Sequence, residues 1–120
     1  MINLVKKKKV MKVDQRGHTT IIKDTEGSSD VFLQKLISQY NTFKDVNLII
    51  DITHDDSVNL EAINSFIELS DKHKALKKSF VLVAEGIDFN EVPDSILVVP
   101  TLLEAHDIIE MEEIERDLGF

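Results

Sequence analysis

Asn47 to Phe66, NLIIDITHDDSVNLEAINSF, is the stretch whose reading decides the fold. Leu48, Ile49, Ile50 and Ile52 follow one another with almost no polar alternation, the pattern of a strand buried on both faces and therefore central. A polar loop, His54-Asp55-Asp56-Ser57, comes next. A helix then begins near Asn59 and Leu60, with Glu61 in its first turn. In open α/β sheets, partners and ligands bind in the crevice at the carboxyl ends of the strands, so this loop is the first candidate site.

On the N-terminal side, Val10 to Asp14 alternates weakly and Gln15-Arg16-Gly17 reads as a turn. The β-branched run Thr19 to Lys23 then makes the second strand of a hairpin. Asp24 to Ser29 is a loop, with Ser28, Ser29 and Asp30 as candidate helix caps. The spacing of Phe32, Leu36, Tyr40 and Phe43, with Leu33 and Ile37 beside them, predicts a helix over 30–42.

On the C-terminal side, Ile63, Phe66, Ile67 and Ser70, flanked by Leu69, His73 and Leu76, predict a helix over 60–76. His73 reads as a packed helix residue, and Lys74, Lys77 and Lys78 stand where the helix dipole favours cations. Ser79 to Ala84 is a second buried strand, and 85–95 is a polar connection too short for a full helix. Ile96 to Val99 is a short further strand. Thr101 and Glu104 form a capping box that opens the last helix, with Val99 and Ala105 placed for a hydrophobic staple. The order predicts an α/β domain: an N-terminal hairpin, a parallel or mixed central sheet and about three main helices.

The chain of 120 residues fits one domain. With no cysteine it has no disulfide framework, thiolate metal site or cysteine nucleophile, which suits a reducing cytoplasm. No apolar run approaches a membrane span. MINLVKKKKV has no apolar segment after its charges, so no signal peptide is expected. Residues 1–60 are nearly balanced, and residues 61–120 carry almost all of the net charge of −8. An acidic domain repels phosphate backbones, so no nucleic-acid partner is expected. The one basic block, Lys6 to Lys9, reads as a solvated arm over 1–9 ahead of a domain over 10–110.

The last helix changes character part-way. Leu102, Ala105, Ile108 and Ile109 cluster on one side, expected to pack on the sheet. Beyond Glu110 that side is filled by Glu112, Glu115 and Arg116, while Met111, Ile114 and Leu118 turn to roughly the opposite side. Residues 111–120 therefore either break away as an acidic tail or extend the helix with a second apolar stripe. Met111, Ile114 and Leu118, followed by Phe120, match anchors for helix-in-groove recognition by a partner protein or a second copy.

LIIDIT, the loop into LEAINSFIEL, FVLVA and VVPTLLEA, in that order and spacing, resemble the STAS domain of anti-sigma-factor antagonists and sulfate-transporter tails. The resemblance covers about residues 10–110 and implies a non-enzymatic, cytoplasmic regulatory module that binds a protein. STAS antagonists read Asp-Ser-Ser-Gly-Leu at the start of the helix after the central strand, and the second serine is phosphorylated. Aligned without gaps from Asp51, that serine falls on Glu61, which has no hydroxyl, so the resemblance implies a fixed charge in place of a switch. STAS domains usually carry a further helix where 85–95 leaves no room. The C-terminal part from Asp88 is also similar to small proteins named ribonuclease Z. Such nucleases need a clustered His-x-His-x-Asp-His motif, whereas His18, His54, His73 and His106 are each isolated here.

The expected binding face therefore combines Asp55, Asp56, Ser57, Asn59 and Glu61 with Met111, Ile114, Leu118 and Phe120, with no cofactor, metal or catalytic residue. One rival is a hydrolase or phospho-transfer domain holding a divalent cation on Asp55 and Asp56, with Asp24, Glu85 and Asp88 from neighbouring loops. The other is a structural oligomer subunit, such as a homodimer. No Gly-rich phosphate loop is present, since Gly17, Gly27, Gly86 and Gly119 are scattered singly.

Overall fold

The computed structural model describes residues 11–119; the basic arm over 1–9 and Phe120 lie outside them. Five strands form one sheet in sequence order: β1 (Met11–Arg16), β2 (Thr19–Asp24), β3 (Asn47–Asp51), β4 (Phe80–Val83) and β5 (Leu97–Val99). β1 runs antiparallel to β2, and every other pairing is parallel. Gly17, at φ 60, turns the hairpin. All of β3 is buried, as its unbroken apolar run predicts.

The predicted helix over 30–42 is two pieces, α1 (Ser29–Ser38) and α2 (Tyr40–Phe43). The one over 60–76 is likewise α3 (Leu60–Asn64) and α4 (Ile67–Lys74). A serine stands at each break. The Ser38 hydroxyl donates to Lys35 O at 2.8 Å and the Ser65 hydroxyl to Ala62 O at 2.5 Å. Serine hydroxyls compete in this way for carbonyls that the helix ladder would otherwise use. Periodicity does not register such breaks, and Ile37 and Leu76, expected on the apolar stripes, are exposed.

Alternation along the strands sorts side chains to two faces. Ile22, Leu48, Ile50, Phe80 and Leu82 meet Phe32, Leu36, Ile63, Phe66 and Leu69 from the helices between β2 and β4. On the other face Ile21, Ile49, Val81 and Val83 meet Ala105 and Ile109 of α5 (Leu102–Asp117). The β4–β5 crossover holds a single 3-10 turn, Phe89–Glu91, as the short connection predicts. Thr101 caps α5 by accepting from Glu104 N at 3.1 Å.

α5 does not break away: it is continuous through Asp117. Its second half overruns the apolar sheet face and reaches the polar beginnings of β3 and β4. Asn47 Nδ2 donates to Glu113 Oε2 at 2.8 Å, while Asn47 Oδ1 accepts from Ser79 N and from Arg116 Nη2. The Ser79 hydroxyl donates to Glu112 and accepts from Arg116 Nη1 at 3.2 Å. The shift of the apolar face past Glu110 follows from this: the side toward the protein meets amides and hydroxyls there, and carboxylates with a guanidinium satisfy them. Leu102, expected to pack, is instead 38 % exposed at the helix start.

A buried polar node ties α4 to α2 and β3. His73 is fully buried, with Nε2 2.7 Å from Val46 O and Nδ1 2.6 Å from the Tyr40 hydroxyl. A carbonyl only accepts, so Nε2 carries the proton and Nδ1 accepts from Tyr40. Burial pushes the imidazole below its ordinary value, with the Lys78 charge adding to this and the Val46 bond opposing it. An unfolded chain takes up this proton near about pH 6.5, but the folded one only at lower pH. The neutral node is therefore fully stabilising above about pH 6.5, and stability falls as pH drops below that value. Urea unfolding at about pH 7.5 and about pH 5.5 is expected to show a lower midpoint at the acid value. His73→Leu should lose about 2 kcal/mol at the higher pH and flatten the difference, since Tyr40 and Val46 lose their partner.

Candidate partner-binding site

β2 and β3 are neighbours, so the loops leaving their carboxyl ends lie side by side. Between them is a pocket of about 470 Å³. Gly27, Ser28, Ser29 and Asp30 form one wall, and Asp55, Ser57, Asn59, Glu61, Ala62 and Ser65 line the remainder. The first turns of α1 and α3 both border it. Gly27 adopts φ +77, and a Cβ there would come within 3.4 Å of His54 O, so this position favours glycine both for conformation and for the close approach of the loops.

Aspartates shape the loops at this edge of the sheet by a repeated device. Asp24 Oδ1 accepts from Glu26 N at 2.9 Å and Gly27 N at 3.2 Å. Asp51 Oδ1 accepts from Thr53 N at 2.9 Å and the Thr53 hydroxyl at 2.7 Å. Asp55 Oδ1 repeats the pattern with Ser57 N and the Ser57 hydroxyl. These are the local turns that short carboxylate side chains form with backbone two residues on.

Asp55 does more. It is 8 % exposed, and its Oδ2 accepts from Ser29 N at 2.9 Å. Ser28 stands at the cap position of α1 but its side chain makes no cap bond, so Asp55, twenty-six residues beyond Ser29, serves the helix N-terminus instead. Burial pushes the Asp55 carboxyl up, but the bonds from the Ser57 hydroxyl, Ser29 N and Ser57 N together outweigh it and hold the group below its usual value. Asp55 clamps the two walls together. Asn59 caps α3 by accepting from Ala62 N at 2.9 Å and leaves Glu61 exposed in the first turn.

Asp56 and Ser57 are exposed on the same loop. Both Asp55 oxygens are engaged by Ser29 and Ser57. Among the described residues, no group of three or more His, Asp or Glu side chains is placed to hold a metal ion. Met111, Ile114 and Leu118 are not part of this site. α5 packs on the opposite face of the sheet, and its second half lies at the opposite ends of the strands. The expected single face is therefore two surfaces. Sequence reasoning missed the Gly27 to Asp30 wall, because Ser28, Ser29 and Asp30 read as purely local caps and nothing in them signals a bond to Asp55.

Searches against protein-family models and against curated proteins find no match. No helix among the described residues is long and apolar enough to cross a membrane.

Asp55→Ala should cost about 2–3 kcal/mol in urea unfolding, because Ser29 N and Ser57 lose a charged acceptor. Asp56→Ala should stay within about 0.5 kcal/mol. The Asp55 contribution is complete above about pH 3.9 and fades as pH falls below it, the sign expected for a carboxyl lowered by folding.

Proposed function

We propose that the chain is a non-enzymatic regulatory module that binds a protein partner at the pocket rim, in the manner of the STAS antagonists it resembles, with a constant negative charge where they carry a phosphorylated serine. The observation that carries this reading is Glu61, exposed in the first turn of α3 on the rim of the pocket at the sheet's carboxyl edge. Three features support it. The α/β fold, a mixed five-strand sheet with an N-terminal hairpin, is compatible with the resemblance apart from the helix that the β4–β5 connection lacks. Asn59 fixes the helix start, so the carboxylate has a defined position. The buried Asp55 clamp makes the rim a preformed surface, which reduces the ordering cost of binding.

In this reading Asp56, Ser57, Asn59 and Glu61 contact the partner, and Asp55 holds them in place. The partner presents a cation or hydrogen-bond donors to Glu61, and no phosphorylation step intervenes.

The test compares wild-type chain with Glu61→Gln and Glu61→Lys as bait in the native host lysate. Capture of one discrete partner should weaken with the first variant and be lost with the second, while unfolding midpoints stay together. Equal capture by all three would remove Glu61 from the interface. Intact-mass analysis of the chain recovered from the host should show no phosphoryl group, and an adduct mapped to Ser57 or Ser65 would overturn the fixed-charge reading.

A further inference from the structure

α5 carries a second surface on the other side of the sheet, and its charge pattern says what kind of partner it fits. Met111, Ile114 and Leu118 are 61 %, 54 % and 65 % exposed on a helix whose other side is bound to the protein. Their spacing of three and four residues makes them the a, d and a positions of a short heptad pattern. In that register Glu110 and Asp117 occupy g positions and Glu115 the intervening e position, all exposed. The one arginine of the helix, Arg116, points the other way and is bound to Asn47 and Ser79. The outer face is thus an apolar seam edged by Glu110 and Asp117 on one side, while on the other side Glu115 borders a pocket shared with Lys74, Lys77, Lys78 and Arg116.

Pairing along such a seam is decided by the e and g positions. A second copy packed antiparallel along the seam would set Glu110 and Asp117 against the same two carboxylates, a like-charge arrangement that costs affinity. We infer that the outer face of α5 docks a basic amphipathic helix of a different protein, with aliphatic residues filling the seam around Met111, Ile114 and Leu118 and Lys or Arg facing Glu110 and Asp117. The hydrogen bonds that Glu112 and Glu113 accept from Ser79 and Asn47, and that Arg116 donates to Ser79, tie α5 to the strand starts, so the seam is preformed.

This surface is separate from the Glu61 rim, so each can fail alone. Three synthetic helical peptides are titrated into the full chain: one with Leu and Ile at a and d and Lys at e and g, one with Glu at e and g, and a scrambled isomer of the first. Calorimetry should give the Lys peptide at least about tenfold tighter binding than either control. Amide shifts should move along α5 and not at Glu61. Ile114→Asp should reduce binding about tenfold or more with an unchanged unfolding midpoint. The double variant Glu110→Lys, Asp117→Lys should reverse the preference toward the Glu peptide.

Equal binding of the scrambled isomer, or no binding at all, overturns the proposal. So does a dimer in light scattering that Ile114→Asp dissolves, which would make the occupant a second copy. A movement of free-chain α5 shifts when Lys6 to Lys9 are replaced by Gln would assign the seam to the chain's own lysines and overturn it equally.

Discussion

The sheet must be covered on both faces, and the chain supplies one helix for the second of them. β3 and β4 are apolar on both sides, so leaving either side bare would expose Ile49, Val81 and Val83 to water. α1 to α4 all lie in the connections between β2 and β4 and pack on the first face. Among the described residues α5 alone closes the other, lying over β3, β4 and β5. Two consequences follow. The hairpin's second face is left to Lys12, Asp14, Arg16 and Lys23, with Asp14 and Arg16 paired at 3.6 Å. The helix is also longer than the apolar patch it covers, so its last turns meet the polar strand starts.

Polar groups then fix what apolar burial leaves free. A helix on an apolar sheet can slide or rotate at little cost, because the hydrophobic effect is non-directional. The bonds of Asn47 and Ser79 to Glu112, Glu113 and Arg116 remove that freedom for α5. His73 does the same for α4 between Tyr40 and Val46, and Asp55 for the start of α1. Each is buried and paired with directional partners, the condition under which a polar group rigidifies a core.

The two candidate surfaces inherit their properties from these anchors. The rim at the carboxyl edge owes its shape to the turns at Asp24 and Asp55 and to the Asp55 bridge, and Ser57, Asn59, Glu61 and Ser65 of its second wall remain exposed. The seam on α5 owes its exposure to the overrun of the helix. They lie on opposite faces and toward opposite ends of the strands, so two proteins could be held at once.

The sequence by itself determined the strands, the order of the elements, the central place of β3, the lack of a helix in the β4–β5 crossover, the helix start near Asn59 and the cap at Thr101. Periodicity and capping act within about four residues and are written locally. It also placed Met111, Ile114 and Leu118 off the core side. Only the tertiary structure decided that α5 stays whole, because its polar inner side is explained by Asn47, sixty-six residues away from Glu113. The same holds for Asp55: its spacing marks a turn former, but its partner Ser29 comes within reach only when β2 and β3 pair and bring their loops together. Contacts of that span leave no periodic trace in a single chain, so the division of one expected face into two was legible only in the folded molecule.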